Sequence, residues 1–529
     1  MNALLVLYAG NLAGEAFEPV LGEKNSLSLA VERARGFPGV GKTVLLTGSS
    51  LVPSLEGVVV EGREEPWTVR ALLEAIAAHS REPFDFGYFA WADCPFLDPD
   101  LAGKLAERHL RYAAEYSYAD GWPHGLAPEL LSPGTAAILA KILGDDDGGP
   151  VGRDALFSVI QKDINAFDIE TEISSVDLRC HRLSLAADSG RNLLLLRRFV
   201  ASGDDGAGEI PDTAAVEKIV AERPECLRTL PAFYPIQVFG GCPQACAYCP
   251  WPVASDSPVT ERRDQMEPGQ FDALLEKIVA FSGDAVIDLS LWGELSLHPQ
   301  KLELVGMVLR RPELALVIET SGIGWKNGEL EQIAEMARNA APRRMAFPPA
   351  LSWIVSLDAA DPARYKEVRG AGFAEANDCA KKILSLFPKD AYVQAVRTQG
   401  AEDDIERFYR SWKEAASANT IIQKYDDFCG MLPRKQASDL SPVQRQPCWH
   451  LMRDMPILID GTVPLCRQQV CRKQPDAITL GNAFSEALET IWERGRRHYD
   501  GQVSVVAARA GAKYDSLCEK CDEYYTYNF

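Results

Sequence analysis

Short apolar runs alternate with amphipathic stretches along most of the 529-residue chain. Over residues 1–205 this alternation predicts strands and helices in turn, which is typical of an α/β sheet domain. The strands are predicted at Leu4–Tyr8, Thr43–Thr47, Val58–Val60 and Tyr88–Ala92, and helices at Ser26–Arg35 and Thr68–His79. Residues 206–229 follow a Gly/Asp-rich stretch and are expected to form a linker.

Residues 230–435 contain six further apolar runs with helical patterns between them. Six βα-type repeats in this length predict a parallel sheet that curls into a partial (β/α)6 barrel. The strands are predicted at Ile236–Phe239, Ala285–Leu291, Leu314–Glu319, Trp353–Leu357, Tyr392–Val396 and Thr420–Gln423. Residues 436–529 are expected to form a small, Cys-rich C-terminal domain.

Composition and charge narrow the function classes. Hydrophobic residues make up 47% and charged residues 25%, which is ordinary globular usage. The net charge of −20 would repel nucleic acid and an anionic membrane surface, so we expect neither as a partner. No apolar run approaches the ~20 residues of a spanning helix, and the start has no positively charged leader. The expected location is the cytoplasm.

One motif is formally present but does not fit its mechanism. Residues Gly36–Thr43 satisfy the phosphate-binding P-loop pattern. That mechanism needs a strand before the glycines and a helix after them, whose N-terminus holds the phosphates. Here the predicted helix comes first and the predicted strand second, so we expect a helix-to-strand turn.

The 13 cysteines are unevenly distributed. Five are scattered singly: Cys94, Cys180, Cys226, Cys379 and Cys429. Cys242, Cys246 and Cys249 are packed together directly after the apolar run Pro235–Phe239. Three thiolates can hold three irons of a [4Fe–4S] cluster and leave the fourth iron open. A zinc loop or plain buried thiols are the alternatives, but the three-then-two spacing does not suit zinc.

The Cys-x3-Cys-x-aromatic-Cys pattern resembles the signature of radical S-adenosylmethionine (radical SAM) enzymes, over residues 235–435. The resemblance implies catalytic Cys242, Cys246 and Cys249 on a [4Fe–4S] cluster, with Tyr248 among the cofactor-binding residues. It implies S-adenosylmethionine (SAM) on the open iron, reductive cleavage to a 5′-deoxyadenosyl radical, and hydrogen abstraction from a substrate.

Two later stretches resemble SAM-binding motifs of the same family. Gly293-Glu294 corresponds to the motif that holds the methionine amino group, with Trp292 where a glycine is common. Ser356, in Val355-Ser-Leu-Asp358, would hydrogen-bond the ribose, and Val393–Arg397 would meet the adenine.

A second cysteine group lies near the C-terminus. Cys448, Cys466, Cys518 and Cys521 can close a metal site, and Met455–Cys466 is predicted to form a β-hairpin that returns Cys466 towards Cys448. The segment resembles the SPASM/twitch extension of radical SAM enzymes, which implies one auxiliary [4Fe–4S] cluster. A four-Cys zinc site is the alternative. Cys471 would replace one ligand, contact substrate or be a bystander.

The first domain bears a looser resemblance. Asp93-Cys-Pro-Phe-Leu97 is similar to the strand end of nucleotidyltransferases of the cytidylyltransferase type, in which the aspartate binds Mg²⁺. The loop expected to hold triphosphate lacks the family's arginine and carries Glu15, and a negative charge repels phosphate. We therefore expect a nucleotidyltransferase-like domain that has lost transfer activity and binds substrate or a partner.

As a whole the chain resembles the spiro-SPASM proteins. This implies a radical SAM oxidoreductase or modifying enzyme acting on a peptide or small molecule, with electrons from a donor such as flavodoxin or ferredoxin. Two alternatives remain. One is a nucleotidyltransferase acting on a sugar acid with a fused radical SAM domain, and the other is a non-catalytic iron–sulfur scaffold.

Overall fold

A seven-stranded sheet organises Met1–Thr229, the first of two units into which the chain divides. The computed structural model describes residues 1–48, 55–202, 208–341, 343, 348–470, 477–508 and 511–526. The strands are β1 Ala3–Ala9, β2 Pro19–Leu21, β3 Lys24–Asn25, β4 Val40–Gly48, β5 Val59–Arg63, β6 Phe86–Trp91, β7 Tyr116–Asp120, β8 Glu129–Leu131 and β9 Ile169–Ile173. The helices are α1 Ser26–Arg35, α2 Val69–His79, α3 Pro99–Arg111, α4 Thr135–Ile142, α5 Ala155–Ile160, α6 Gly190–Val200 and α7 Thr213–Glu222.

The sheet order is β5-β4-β1-β6-β8-β7-β9, and β1 runs parallel to both β4 and β6. All seven residues of β1 are buried, as in a parallel strand covered on both faces. Each strand and helix expected in this part of the sequence is present within a few residues. The P-loop pattern, Gly36–Thr43, runs from the end of α1 into β4, in the helix-to-strand order that disfavours phosphate binding. Within the stretch expected to be a linker, Thr213–Glu222 forms α7.

The second unit, Leu230–Phe529, contains the partial barrel. Six strands pair in sequence order and all in parallel. They are β10 Phe233–Pro235, β11 Ala285–Asp288, β12 Leu314–Thr320, β13 Leu351–Ser356, β14 Ala391–Arg397 and β15 Asn419–Lys424. The helices of this unit are α8 Trp251–Ala254, α9 Pro268–Ser282, α10 Lys301–Leu309, α11 Glu329–Arg338, α12 Pro362–Val368, α13 Phe373–Leu386, α14 Glu402–Tyr409, α15 Trp449–Arg453, α16 Leu488–Val506 and α17 Ser516–Lys520. The α/β class and the partial barrel agree with the sequence.

The first barrel strand lies earlier than the apolar run indicated. β10 ends at Pro235, and Ile236 pairs instead with Ile457 of the Cys-rich segment. The Ile236 amide still donates to the Asp288 carbonyl of β11 at 2.7 Å, while the Ile457 amide donates to the Pro235 carbonyl at 2.8 Å. The end of β10 therefore contacts β11 on one side and the Cys-rich segment on the other, and the chain beyond it enters the loop that carries the first cysteines.

The Cys-rich segment belongs to the same unit as the barrel. Its two strands are β16 Thr462–Pro464 and β17 Thr479–Asn482, which pair antiparallel. The strand β16 thus pairs with β17, which lies outside Met455–Cys466, so the hairpin predicted within that stretch has a different partner strand. Gly461, with a φ of 81°, makes the expected turn. No helix among the described residues is long and apolar enough to cross a membrane.

Candidate active site and auxiliary cluster site

The loop that follows β10 carries Cys242, Cys246 and Cys249. Backbone hydrogen bonds hold it at several points: Cys242 donates to the Val259 carbonyl at 3.0 Å, and Cys249 donates to the Cys246 carbonyl at 3.1 Å. Between the cysteines, the Ala247 amide donates to the Val368 carbonyl at 2.9 Å. The loop thus has a defined shape that brings the three thiols onto one cavity wall.

A buried polar network fixes this loop to the barrel. The Tyr248 hydroxyl donates to Asp358 and accepts from Arg369 Nη1 at 2.7 Å. Arg369 also pairs with Asp358 and donates to Gln244 Oε1 at 2.9 Å. Asp358 in turn accepts from the Val396 amide at 2.7 Å. Tyr248 was predicted among the cofactor-binding residues. It lines the cavity, and its hydroxyl group also pins the cysteine loop to the barrel.

One cavity of about 570 Å³ collects the predicted active-site residues. The three cysteines of the loop, Gly293, Glu294 and Ser356 all line it. They sit at the carboxyl ends of parallel strands, where α/β folds bind their ligands. Its volume is within the ordinary range for a small-molecule or cofactor site.

Trp292 adopts the backbone conformation that a glycine would supply. Its φ is 46°, in the left-handed region that bulky residues rarely occupy. Its carbonyl accepts from Gln237 Nε2 at 2.9 Å, and its ring packs edge-on against Phe428 at 5.5 Å between centroids. At the next residue, a Cβ on Gly293 would lie 1.7 Å from the Phe239 carbonyl oxygen, so no side chain fits there. The backbone at Gly293 therefore lies directly against Phe239, although Trp292 stands where the family commonly has a glycine.

Glu294 is buried between two strand ends. One of its carboxylate oxygens accepts from Thr320 Oγ1 and the other from the Ser321 amide, each at 2.7 Å. Its own amide donates to the Gly241 carbonyl at 2.9 Å, beside the first cysteine. Burial raises the pKa of Glu294, because desolvation outweighs the hydrogen bonds that favour the charge. A cationic amine next to this carboxylate would stabilise its ionised form.

Ser356 is one member of a polar group that spans three strands. Its hydroxyl donates to Glu319 Oε1 at 2.5 Å, and Gln394 Nε2 donates to the same oxygen at 2.9 Å. Glu319 and Gln394 both line the cavity. Gln394 lies in Val393–Arg397, the stretch expected to meet the adenine, whereas Glu319 was not predicted as a site residue. The signal for Glu319 was an acidic residue near the end of the apolar run Leu314–Thr320.

Asp288 is a second site residue that sequence reasoning missed. It ends β11, lines the cavity and accepts from the Ser290 amide at 2.9 Å. Burial raises the pKa of Asp288 to about 6, and the nearby Glu319 carboxylate adds to the rise. The signal was an acid that closes the apolar run Ala285–Ile287.

The residues present fit a three-cysteine [4Fe–4S] cluster with SAM. Burial raises the pKa of the Cys249 thiol to about 12, and it raises the pKa of Cys242 and Cys246 as well. Buried thiols of this kind ionise only when a cation replaces their protons, as iron does. Beside them, Glu294 offers an anion for an amine, and Ser356 and its partners offer polar atoms for hydroxyl groups.

The four predicted auxiliary ligands come together at a separate small cavity. Cys448, Cys466, Cys518 and Cys521 all line it, together with Gln502. The Cys448 amide donates to Gln502 Oε1 at 3.2 Å. Burial raises the pKa of Cys518 to about 12, and the neighbouring Cys521 thiol contributes to the rise. Four converging thiols match the ligand set of a closed cluster site. Cys471, whose role was left open, lies outside the described residues.

A fifth thiol at this site was missed. Cys429, counted as a singly placed cysteine, donates from its thiol to Gln468 Oε1 at 3.8 Å, and Gln468 lines the small cavity. The sequence separation from Gln468 hides the contact, which arises because the loop after β15 reaches the cluster site.

The first unit does not offer Asp93 to a metal ion. Asp93 is 4% exposed, and its two oxygens accept from Arg153 Nη1 at 2.9 Å and Nη2 at 2.6 Å. Arg153 Nη2 also donates to Asp188 at 3.0 Å, and the guanidinium stacks 4.4 Å from the centroid of the Trp91 ring. A guanidinium between two carboxylates takes the place that a divalent cation would need. The residues present therefore do not fit the Mg²⁺ site that the cytidylyltransferase resemblance implied.

Similarity to known proteins agrees with this picture. The SPASM family, an iron–sulfur cluster-binding domain, matches residues 448–522. Together with the cysteine triad at the parallel partial barrel, this match identifies a radical SAM protein with a SPASM domain that binds an iron–sulfur cluster. The chain belongs to the same family as an uncharacterized protein of Treponema pallidum (strain Nichols). The two are 37% identical over 382 residues, which is 71% of this chain and 98% of that protein.

Solved structures resemble parts of the chain. Streptococcus suis SuiB bound to precursor peptide SuiA is 14% identical, covers 55% of this chain and 72% of its own, and has a TM-score of 0.40. A cytidylyltransferase from Leptospira borgpetersenii serovar Hardjo-bovis (strain JB197) is 15% identical and has a TM-score of 0.34. The match covers 42% of this chain and 95% of the cytidylyltransferase chain. At these TM-scores the likenesses carry no information on function.

Proposed function

We propose that the protein is a radical SAM enzyme that modifies or oxidises a peptide or small molecule. The observation that carries the proposal is the shared cavity. The three cysteines of the loop, the Gly293-Glu294 motif and Ser356 face one space of about 570 Å³. When bound there, the reduced [4Fe–4S] cluster supplies one electron that cleaves SAM to methionine and the hydrogen-abstracting 5′-deoxyadenosyl radical.

The residues that line the cavity would bind the cluster and SAM, orient them and shield them from water. Cys242, Cys246 and Cys249 hold the cluster, and Glu294 takes the methionine amino group through a charge-assisted hydrogen bond. Ser356 and its hydrogen-bond partner Glu319 take the ribose hydroxyls. The rest of the cavity would exclude water, which protects a reactive radical from side reactions.

The auxiliary site extends the proposal. Cys448, Cys466, Cys518 and Cys521 would hold one [4Fe–4S] cluster that exchanges an electron with the substrate or ligates it. Arg467 lines both this cavity and the larger one, so the two sites adjoin. A reductant such as flavodoxin or ferredoxin would serve the triad cluster. The nucleotidyltransferase alternative is disfavoured, because Arg153 donates hydrogen bonds to both carboxylate oxygens of Asp93, which a metal ion would need.

Anaerobic SAM cleavage tests the proposal. Dithionite-reduced protein should convert SAM to 5′-deoxyadenosine and methionine slowly, even without substrate, as followed by chromatography. Cys246→Ala should abolish the product, since it removes a ligand of the SAM-binding cluster. Cys180→Ala is the matched control, because that thiol is exposed and lies in the first unit. Wild type that retains its full iron content yet makes no more product than Cys246→Ala would leave the iron–sulfur scaffold as the function.

A further inference from the structure

Arg467 lies where the two candidate sites adjoin. It directly follows Cys466, one of the four predicted auxiliary ligands, and it lines both the small cavity and the larger one. Its side chain is 23% exposed. The cluster ligands and SAM contacts proposed above do not include this residue, so its charge requires a separate explanation.

The cations of the larger cavity differ in how they are paired. Those among the described residues that line it are Arg369, Lys424 and Arg467. Arg369 pairs with the buried Asp358. Lys424 Nζ pairs with Glu523 Oε1 and lies 3.1 Å from Asp522 Oδ2. By contrast, Arg467 Nε is buried without a hydrogen-bond partner among the described residues.

The acid closest to Arg467 does not use this donor capacity. Among the described residues, the ion pair of Arg467 is to Glu523, whose Oε2 lies 3.7 Å from Nη2, beyond hydrogen-bond distance. Other groups hold that carboxylate, since Oε1 accepts from Lys424 Nζ and Oε2 lies 2.8 Å from the Thr526 hydroxyl. A guanidinium presents its N–H groups as a planar fork, and a carboxylate offers the matching pair of oxygens. Arg467 can therefore accept a further carboxylate from within the cavity.

The surroundings restrict what such an anion can be. Asp288, Glu319 and Asp426 line the same cavity, so a dianionic phosphate monoester would be repelled more strongly than a singly charged carboxylate. Apolar side chains that line the cavity include Ile354, Ile421 and Phe428. One carboxylate on an apolar carbon skeleton fits these surroundings.

We propose that Arg467 binds a carboxylate group of the substrate and thereby selects for an acid with an apolar body. This rests on the proposed function, in which the larger cavity is the place of reaction. Because Arg467 follows Cys466, the bound carboxylate lies beside the auxiliary site, and the carbon skeleton lies in the cavity that the cysteine triad lines. A peptide C-terminus and a small organic acid both carry such a group.

The test is ligand binding by full-length reconstituted protein, unreduced and with or without saturating SAM, measured by anaerobic saturation-transfer NMR. The probes are 3-phenylpropionate, a small acid, and N-acetylphenylalanine, an analogue of a peptide end. In the presence of SAM, at least one acid should bind about tenfold more tightly than its own carboxamide, because only the acid forms a charge-assisted hydrogen bond. The acid that binds more tightly identifies the source of the carboxylate.

Variants assign the preference to one side chain. Arg467→Gln should remove the preference for the acid, and Arg467→Lys should keep part of it, because the charge remains without the planar fork. Arg410→Gln is the matched control, since Arg410 is exposed in the same unit, and it should bind as wild type does. The iron content of each variant is measured alongside.

Several outcomes would overturn the inference. Equal binding of acid and carboxamide by wild type would mean that the cavity does not recognise a carboxylate, and a preference that survives Arg467→Gln would place the carboxylate at another residue. A preference that SAM abolishes would assign Arg467 to the carboxylate of SAM. Tighter binding of phenyl phosphate than of either acid would make the ligand a phosphate, and loss of iron in both Arg467 variants would assign the residue to the auxiliary cluster.

Failure of the proposed function has a separate signature. Wild type would then prefer the acid over its carboxamide and lose that preference on Arg467→Gln, yet make no 5′-deoxyadenosine when reduced. A chain that cleaves SAM but does not distinguish acid from carboxamide would retain the proposed function and lose only this inference.

Discussion

The Arg153 ion pair allows a quantitative test of the first unit. Arg153→Met removes the guanidinium but keeps an unbranched side chain. Asp93, 4% exposed, and Asp188, 10% exposed, would then face each other without a cation. Breaking a buried pair by removing one partner costs about 3–5 kcal/mol. For a unit of this size, about 1 kcal/mol shifts the melting temperature by roughly 2–4 °C, so we expect a fall of about 6–20 °C.

Differential scanning calorimetry of the full chain measures this shift in melting temperature. Added Mn²⁺ tests whether the loss of stability comes from the two unpaired carboxylates. The two freed carboxylates form a cation site, so Mn²⁺ at about 100 times its Kd should restore about 2.7 kcal/mol to Arg153→Met. The double variant Asp93→Asn with Arg153→Met should show no such rescue. Arg179→Met is the matched control, since Arg179 is 60% exposed and its ion pairs contribute little.

Two results would refute this reasoning. The first is an Arg153→Met chain that melts within about 2 °C of wild type, less than the shift expected from about 1 kcal/mol. The second is wild type that binds Mn²⁺ and loses it on Asp93→Asn, which would mean that the guanidinium yields the site to a metal ion.

Three further predictions concern the second unit. Reconstituted protein should contain about eight irons per chain, and Cys448→Ala should lose about half of them, as measured by iron and sulfide assay; stoichiometric zinc would contradict this. Glu294→Gln should weaken SAM binding by about 1.5–3 kcal/mol in anaerobic equilibrium dialysis, because the charge-assisted hydrogen bond is lost, whereas the exposed Glu331→Gln should bind normally. The folded chain raises the pKa of Asp288 to about 6, above its unfolded value of 3.8, and so disfavours its ionised form. Wild type should therefore lose thermal stability relative to Asp288→Asn as the pH rises from about 4 through about 6, and a pH-independent difference would contradict the assignment.

Local patterns were sufficient for most elements of the fold. Periodicity located β1, α1 and five of the six barrel strands, because apolar runs mark the strands that pack in the sheet. Spacing located the cysteine triad, since its three ligands lie within eight residues. β10 was predicted a few residues too late in the chain, at a run whose first residue, Ile236, pairs with Ile457 more than two hundred residues away, and periodicity carries no information on such pairing.

The contacts that the sequence did not predict have a different cause. Glu319 and Gln394 meet only because the register of β12, β13 and β14 aligns them with Ser356. Cys429 reaches Gln468, which lines the small cavity, through a loop with positive φ angles that no turn motif predicts. Contacts between distant segments depend on tertiary geometry, and a single sequence records the residues but not their proximity.

The close backbone approach at Gly293 restricts which residue can stand at this position. The Phe239 carbonyl oxygen occupies the space where a Cβ at residue 293 would lie, at 1.7 Å. The Glu294 amide also donates to the Gly241 carbonyl at 2.9 Å. Two main-chain contacts therefore join the Gly293-Glu294 segment to the cysteine loop. Even Gly293→Ala would have to shift one backbone segment away from the other, so position 293 accepts no other residue without a change in the geometry of the site.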